Sequence, residues 1–309
     1  MHKKIKELDF NKIKEILSEY DRESVYNKVN ILPNSDDLYQ QIEKYVDTKS
    51  FNKKAVLGID IYKYGMYKHL EQTLIPSIFK ILFDKAIKLC LENNKFVFQH
   101  YTKERIENSY ISTGDGGFVI FDTPLHALFF SINFEMMVRT YNSYHLYPKL
   151  RDIIGSINLR YAITYDTVYY FEKNHYGSAI IFNSRILERD SLNRCLIDQD
   201  TYNWFLINID GIENLQVLTI NEVFNIYEFQ SYDKELIRKG ENEIMNTRIS
   251  RYSGIINSDV SKIGQIASKG MDLNIYNLHL QITMKASSSP TTTKRTITIS
   301  LGNLNTAGI

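Results

Sequence analysis

The stretch from Lys54 to Phe121 restricts the fold more than any other part of the chain. It opens on an apolar run that closes on an acid, Ala55-Val56-Leu57-Gly58-Ile59-Asp60-Ile61. A short run of this kind reads as a strand buried on both faces. Over residues 68–92, Leu70, Leu74, Ile78, Ile81, Leu82, Ala86, Ile87 and Leu89 recur at helical spacing. Pro76 either kinks this helix or marks its start. Residues 96–100 and 108–113 read as strand, Gly114-Asp115-Gly116-Gly117 as a tight turn, and 118–121 as the returning strand. Asp60 therefore ends one strand and Asp115 sits at the tip of a hairpin. Two carboxylates on adjacent strands make a hard oxygen site, which suits Mg²⁺ or Mn²⁺ held together with substrate phosphates.

Alternation of sheet and helix continues downstream. Thr123-Pro124 is an N-cap followed by Pro at the first helical position, opening a helix to about residue 141. Residues 158–171 read as a long strand, 177–189 as a helix, 195–197 as a short strand, 200–205 as a helical segment and 225–229 as a closing strand. This order contains the split β-α-β of ferredoxin-like folds, so the expected class is α+β. Residues 1–50 form a helical N-terminal segment, with Ile5, Leu8, Ile13, Ile16 and Leu17 able to share a face and a second short helix over 37–46. The catalytic domain is expected at 51–230. Residues 231–309 read as a small α+β appendage for regulation or oligomerisation: a polar helix at 233–246, then strands at 274–284 and 295–301 joined by a Ser/Thr-rich connection.

Composition excludes several classes. The 309 residues carry a net charge of +1, so there is no global electrostatic footprint for nucleic acid. The two cysteines, Cys90 and Cys195, both lie in apolar elements, which fits a reducing cytoplasm better than a disulfide framework. No signal peptide is seen, and no apolar run reaches the ~18 residues that a membrane span needs. The histidines show no metal-ligand spacing, and no Walker loop, G-x-S-x-G or dinucleotide fingerprint occurs.

Five segments in order resemble the class III nucleotidyl cyclases, a palm-type family, across about residues 54–229. Asp60-Ile61-Tyr62-Lys63-Tyr64 resembles the family's opening Asp-Ile-x-Gly-Phe, with Lys63 in place of Gly. Gly114-Asp115 followed by Phe121 resembles its second metal motif. The stretch from Arg160 to Val168 resembles the following strand without its two glycines. The stretch from Gly177 to Ile186 resembles its later helix, and Ile226-Tyr227-Glu228-Phe229 its closing strand.

The resemblance implies a cyclase that drives a ribose 3′-hydroxyl onto the α-phosphorus and releases pyrophosphate, with two Mn²⁺ or Mg²⁺ ions. Asp60, Asp115 and the backbone carbonyl of Ile61 would be the ligands. Gly114 and Gly116 would let backbone approach the phosphates, and Arg185 would reach across a homodimer to the reacting phosphorus. Ile181 stands where the family carries the ribose-orienting Asn, and Asn183 lies on a different helix face. Ser109 and Asn174 occupy the base-reading positions, and neither the adenine pair nor the guanine pair of the family is present. Tyr62 and Tyr64 would narrow the pocket or serve as packing. His175 flanks it, and reads more simply as a loop residue. This pattern resembles the bacterial Pycsar-type pyrimidine cyclases of antiphage defence, which implies CTP or UTP as substrate and a cyclic nucleotide product that acts on a separate effector. Nucleic acid and membrane are not expected partners. Two other readings stay open: a palm-type dinucleotide or oligonucleotide synthase, and a catalytically degenerate nucleotide-binding sensor.

Overall fold

The structure, a computed structural model, describes residues 10–24, 36–43, 52–171, 174–216, 218–227, 254–268, 271–286 and 295–309. The chain divides into two compact units, 1–52 and 53–309. In the first, α1 (Phe10–Ser24) and α2 (Asp36–Glu43) are described. Ile16 is buried while Leu17 beside it is exposed, so only part of the expected apolar face is covered.

The second unit is a mixed α+β fold. Its first strands are β1 (Lys53–Ile61), β2 (Tyr110–Ser112), β3 (Gly116–Phe121) and β4 (Leu159–Thr167). They lie in the order β4-β1-β3-β2 with every neighbour antiparallel. The helices α3 (His69–Asn93) and α5 (Pro124–Asn142) make the crossovers. This is the ferredoxin-like arrangement expected from the sequence. Between the crossovers and strands lie two short helices, α4 (Lys103–Asn108) and α6 (Pro148–Ile154).

Side chains alternate along β1 because the strand period is two. Leu57, Ile59 and Ile61 enter a core shared with α3 and α5, including Phe79, Phe83, Phe130 and Phe134. Val56 faces the opposite layer, where α7 (Ser178–Arg189) packs with Ala179, Ile186 and Leu187. A small hairpin, β5 (Tyr169–Phe171) and β6 (Asn174–Tyr176), precedes α7. After it, β7 (Cys195–Asp198) pairs parallel with β4, and α8 (Gln199–Ile209) returns to the first core.

Four local expectations give way to the structure. The long strand expected at 158–171 is two, β4 and β5, which lie in different sheets with Val168 between them. Residues 96–100 are turns, not strand, although Phe96, Val97 and Phe98 are buried. Residue 108 closes a helix, so the strand expected at 108–113 starts only at Tyr110. The expected closing strand at 225–229 is helical through Tyr227 in α9 (Ile220–Tyr227), with 228 and 229 outside the described residues. The reason for the last is a capping box. Thr219 Oγ1 accepts from the Glu222 amide (3.3 Å), and the Glu222 carboxylate accepts from the Thr219 amide (2.7 Å). Val223, Phe224 and Tyr227 then fall at helical spacing and pack on the core.

Downstream, β8 (Gly254–Ser268), β9 (Met271–Ala286) and β10 (Arg295–Leu301) form a three-stranded set. The hairpin of β9 and β10 matches the sequence reading, β8 was not anticipated, and the expected helix at 233–246 lies outside the described residues. These strands do not stand apart, because β9 pairs with β7 and extends the central sheet. An open strand edge carries unpaired amide and carbonyl groups, and β9 satisfies those of β7. Among the described residues, no helix is long and apolar enough to cross a membrane.

Candidate active site

Asp60 is the penultimate residue of β1, directly across from Gly116 on one side and Arg160 on the other. The tip of the β2–β3 hairpin is drawn against the end of β1 by a bond from the Ile61 amide to the Asp115 carbonyl (3.0 Å). The approach is so close that a Cβ on Gly116 would lie 2.0 Å from the Ile59 carbonyl oxygen, so only glycine fits. Tyr110 braces the same turn by donating to the Gly116 carbonyl (2.7 Å). Asp60, Ile61, Gly114, Asp115 and Gly116 are thus gathered at one end of β1.

The Asp60 carboxylate is held by Arg160, whose Nε lies 2.5 Å from Oδ2. Side-chain exposure is 15% for Asp60 and 22% for Arg160, so the pair sits at the rim and not in the core. Burial raises the Asp60 pKa above the ordinary carboxylate value. The Arg160 hydrogen bond and charge pull it down, and the negative charge of Asp115 pushes it up again. The donor set of two carboxylates and adjacent backbone oxygens fits Mg²⁺ or Mn²⁺, and Arg160 already occupies Asp60 with a positive charge. Among the described residues, no group of three or more His, Cys, Asp or Glu side chains is gathered, so substrate oxygens would complete such a site.

Tyr62 follows directly, with its amide bonded to the Asn158 carbonyl and its hydroxyl donating to the Ser191 carbonyl (3.2 Å). Tyr64 is engaged elsewhere. Pro76 lacks an amide hydrogen, which leaves the Gln72 carbonyl of α3 without its helical donor, and the Tyr64 hydroxyl supplies one at 3.0 Å.

Ser109 lies far from Asp60. It lines a cavity of about 840 Å³ with Lys54, Arg105, Asn108, Asp122, Tyr170 and His175, at the other end of β1. Lys54 and Asp60 are six residues apart on one strand, which is about 20 Å at ~3.3 Å per residue. In this cavity Asp122 is paired with Lys54 (2.6 Å) and Arg105 (2.7 Å). Burial by itself would raise the Asp122 pKa, and the two cations outweigh it, bringing the group down to about 2. Asn174 is exposed on β6, with its carboxamide oxygen accepting from the His175 amide (2.9 Å). It is His175, stacked edge-on against Tyr170 with ring centroids 4.9 Å apart, that lines the cavity beside Ser109.

Arg185 is half-buried on α7. Ile181, one turn earlier, is 52% exposed. Asn183 is fully buried, and its Nδ2 donates to the Val56 (2.8 Å) and Ala162 (2.9 Å) carbonyls, so it staples α7 to β1 and β4. It has no face to offer a ribose.

Sequence reasoning gave no role to Arg160 or to the Lys54–Asp122–Arg105 group. Arg160 stood inside a quoted motif, but its pairing with Asp60 spans 100 residues and no local pattern announces it. No protein-family model and no curated protein matches the chain. Solved structures do, at low identity. The adenylate/guanylate cyclase/hydrolase from Silicibacter pomeroyi is 12% identical, covering 74% of this chain and 96% of that one, with a TM-score of 0.38. The catalytic core of a rhodopsin-guanylyl cyclase with converted specificity, in complex with ATPαS, is 11% identical over 74% and 96%, with a TM-score of 0.43. The adenylyl cyclase CyaB from P. aeruginosa is 14% identical over 73% and 93%, with a TM-score of 0.37, so what these three share with the chain is a distant likeness of fold.

Proposed function

We propose that the chain is a nucleotidyl cyclase that closes a nucleoside triphosphate, CTP or UTP, to its 3′,5′-cyclic monophosphate with release of pyrophosphate. The observation that carries this reading is the meeting of Asp60 and Asp115 at the end of β1, with Arg160 across from Asp60. The bound divalent ions would supply activation of the 3′-hydroxyl and neutralisation of phosphate charge. Asp60, Asp115 and the Ile61 carbonyl would hold them. Arg160, released from Asp60, presents a planar fork of N–H donors suited to triphosphate oxygens. Arg185 would meet the charge that builds on the α-phosphorus, contributed from a second copy of the chain.

Distance supports a dimer. Lys54 of this cavity and Asp60 lie about 20 Å apart along β1, which favours two copies pairing with opposite ends together so that one nucleotide meets both groups. In the cavity, Asn108, Ser109 and His175 offer amide, hydroxyl and imidazole groups suited to a pyrimidine edge, with Asn174 on the same hairpin as His175. Motif resemblance supports a cytoplasmic role as the signal generator of an antiphage system whose product acts on a separate effector.

The test is incubation of the purified protein with ATP, GTP, CTP and UTP in Mn²⁺, with products read by mass spectrometry. Cyclic CMP or UMP is the expected product, lost in folded Asp60→Asn and Asp115→Asn variants. Cyclic AMP or GMP keeps the cyclase and discards the pyrimidine assignment. The Arg160–Asp60 ion pair favours one competing reading, a nucleotide sensor in which Asp60 stays neutralised. It predicts triphosphate binding with no pyrophosphate released from any of the four.

A further inference from the structure

The loop between α7 and β7, residues 190–194, touches more of the proposed site than any motif in the sequence discloses. Its Asp190 carbonyl accepts from Nη1 of Arg160, the residue that holds Asp60. Its Ser191 carbonyl accepts from the Tyr62 hydroxyl (3.2 Å). Two successive carbonyls of one loop therefore take donors from Arg160, which holds Asp60, and from Tyr62, two residues further along the chain from Asp60. The same loop follows the helix that carries Arg185.

A buried ion pair fixes this loop. Arg194 Nε and Nη2 lie 2.9 and 2.7 Å from Asp190 Oδ1, and both side chains are 1% exposed. The Leu192 amide also donates to Oδ1 (3.2 Å), while Oδ2 is buried with no hydrogen-bond partner. Burying two charges and leaving one oxygen unsatisfied is a poor route to stability, since apolar side chains of similar volume are often as stable or more so. The guanidinium has one further edge. Its Nη1 donates to the carbonyls of Ala307 (2.6 Å) and Asn305 (3.3 Å). Asn303 donates to the Asn193 carbonyl (2.8 Å), and Asn277 of β9 grips the Asn303 (2.8 Å) and Asn305 (3.2 Å) carbonyls. The segment 303–307 is thus wired through Arg194, Asp190 and Arg160 to Asp60.

We propose that Asp190 and Arg194 are positioning residues for Arg160, and that the segment 303–307 is the support that holds them in place. The Asp190 carbonyl anchors the Arg160 guanidinium at a point that does not depend on Asp60. Arg160 therefore keeps its orientation when Asp60 turns to another cation, and its free N–H groups stay aimed at an arriving triphosphate. This assigns the C-terminal strands and the segment after them a part in the site, and it rests on the cyclase reading above.

The experiment uses the full chain with Arg194→Lys and Asn303→Ala. Lysine keeps the charge opposite Asp190 and loses the planar fork that reaches the two tail carbonyls. Two quantities are read in folded protein: KM and kcat for the triphosphate that the wild type turns over, and the ¹⁵N–¹H signal of Arg160 Nε in ¹⁵N-arginine protein, assigned with Arg160→Lys. Arg194→Lys is expected to raise KM about tenfold with a smaller change in kcat, and to shift or broaden the Arg160 signal. Asn303→Ala moves both in the same direction by less. KM and the Arg160 signal both unchanged in folded Arg194→Lys make the pair a staple for the tail and overturn the proposal. If Arg194→Lys does not fold, Asn303→Ala decides by the same two criteria. A wild type that cyclises none of the four triphosphates refutes the cyclase reading alone. The Arg160 signal then still decides whether 303–307 positions that side chain.

Discussion

Glu135 shows how a residue far from any motif acquires an unusual acidity. It lies on α5 beneath β4, where burial raises its pKa to about 7 against the hydrogen bond it accepts from Tyr161 (2.9 Å) and the charge of Arg139. The folded state therefore keeps a proton that the unfolded chain releases above about pH 4.5. Stability is greatest below that value, falls as pH rises toward 7, and is level above it. Glu135→Gln keeps an acceptor for Tyr161 and removes the ionisation. It is expected to flatten this decline and to add about 2 kcal/mol at pH 8, after discounting for partial exposure. Urea unfolding at pH 5 and pH 8 checks it, and an equal loss between the two pH values in both proteins would refute the assignment. At this scale the sequence announced Asp60 and Asp115 through their place at strand ends. It did not announce Arg160, Glu135 or Arg194, because each owes its role to a partner in another element.

Among the elements, the local readings that held are those whose signal is contained within the element. The periodic run at 68–92 is α3, the Thr123-Pro124 start is α5, and 177–189 is α7 within a residue. Those that failed involve short apolar runs, where strand and helix look alike, as at 96–100 and 225–229. Two element-level predictions follow from packing. Tyr64→Phe removes the donor that serves the Gln72 carbonyl and should cost about 1 kcal/mol. In a Pro76→Ala background the helix amide serves that carbonyl, so the same change should cost much less, which a double-mutant cycle by thermal melting would show. Equal costs in both backgrounds would deny the link. Gly58→Ala would place a Cβ 1.9 Å from the Asn183 side-chain oxygen, where α7 presses on β1. It should cost about 2 kcal/mol or more, and add little once Asn183 has been changed to Ala. Additive losses would mean that α7 yields elsewhere.

For the whole molecule, the proposed metal-binding acids and the proposed base-reading cavity divide between the two ends of one strand. If two copies share each site, mixing Asp60→Asn with Arg185→Ala protein should restore up to about a quarter of wild-type turnover from randomly mixed dimers, since half of them are mixed and each has one intact site. No recovery from dimers shown to have exchanged would place both residues in one chain's site. His175→Ala should change the ratio of kcat/KM between CTP and UTP while leaving the Mn²⁺ requirement as it is. A ratio that stays put would remove His175 from base reading. By itself the sequence determined the main helices, the first strand and the hairpin that follows α3, and the position of two acids at their ends, because periodicity, capping and turn chemistry act over a few neighbouring residues. Only the tertiary structure decided that Arg160 meets Asp60, that Ser109 lines a cavity away from it toward the other end of β1, and that residues 303–307 are tied to the same network. Such contacts join positions up to a hundred and more residues apart. They are set by strand register and by which buried polar groups find partners, and neither is written in any local stretch of the chain.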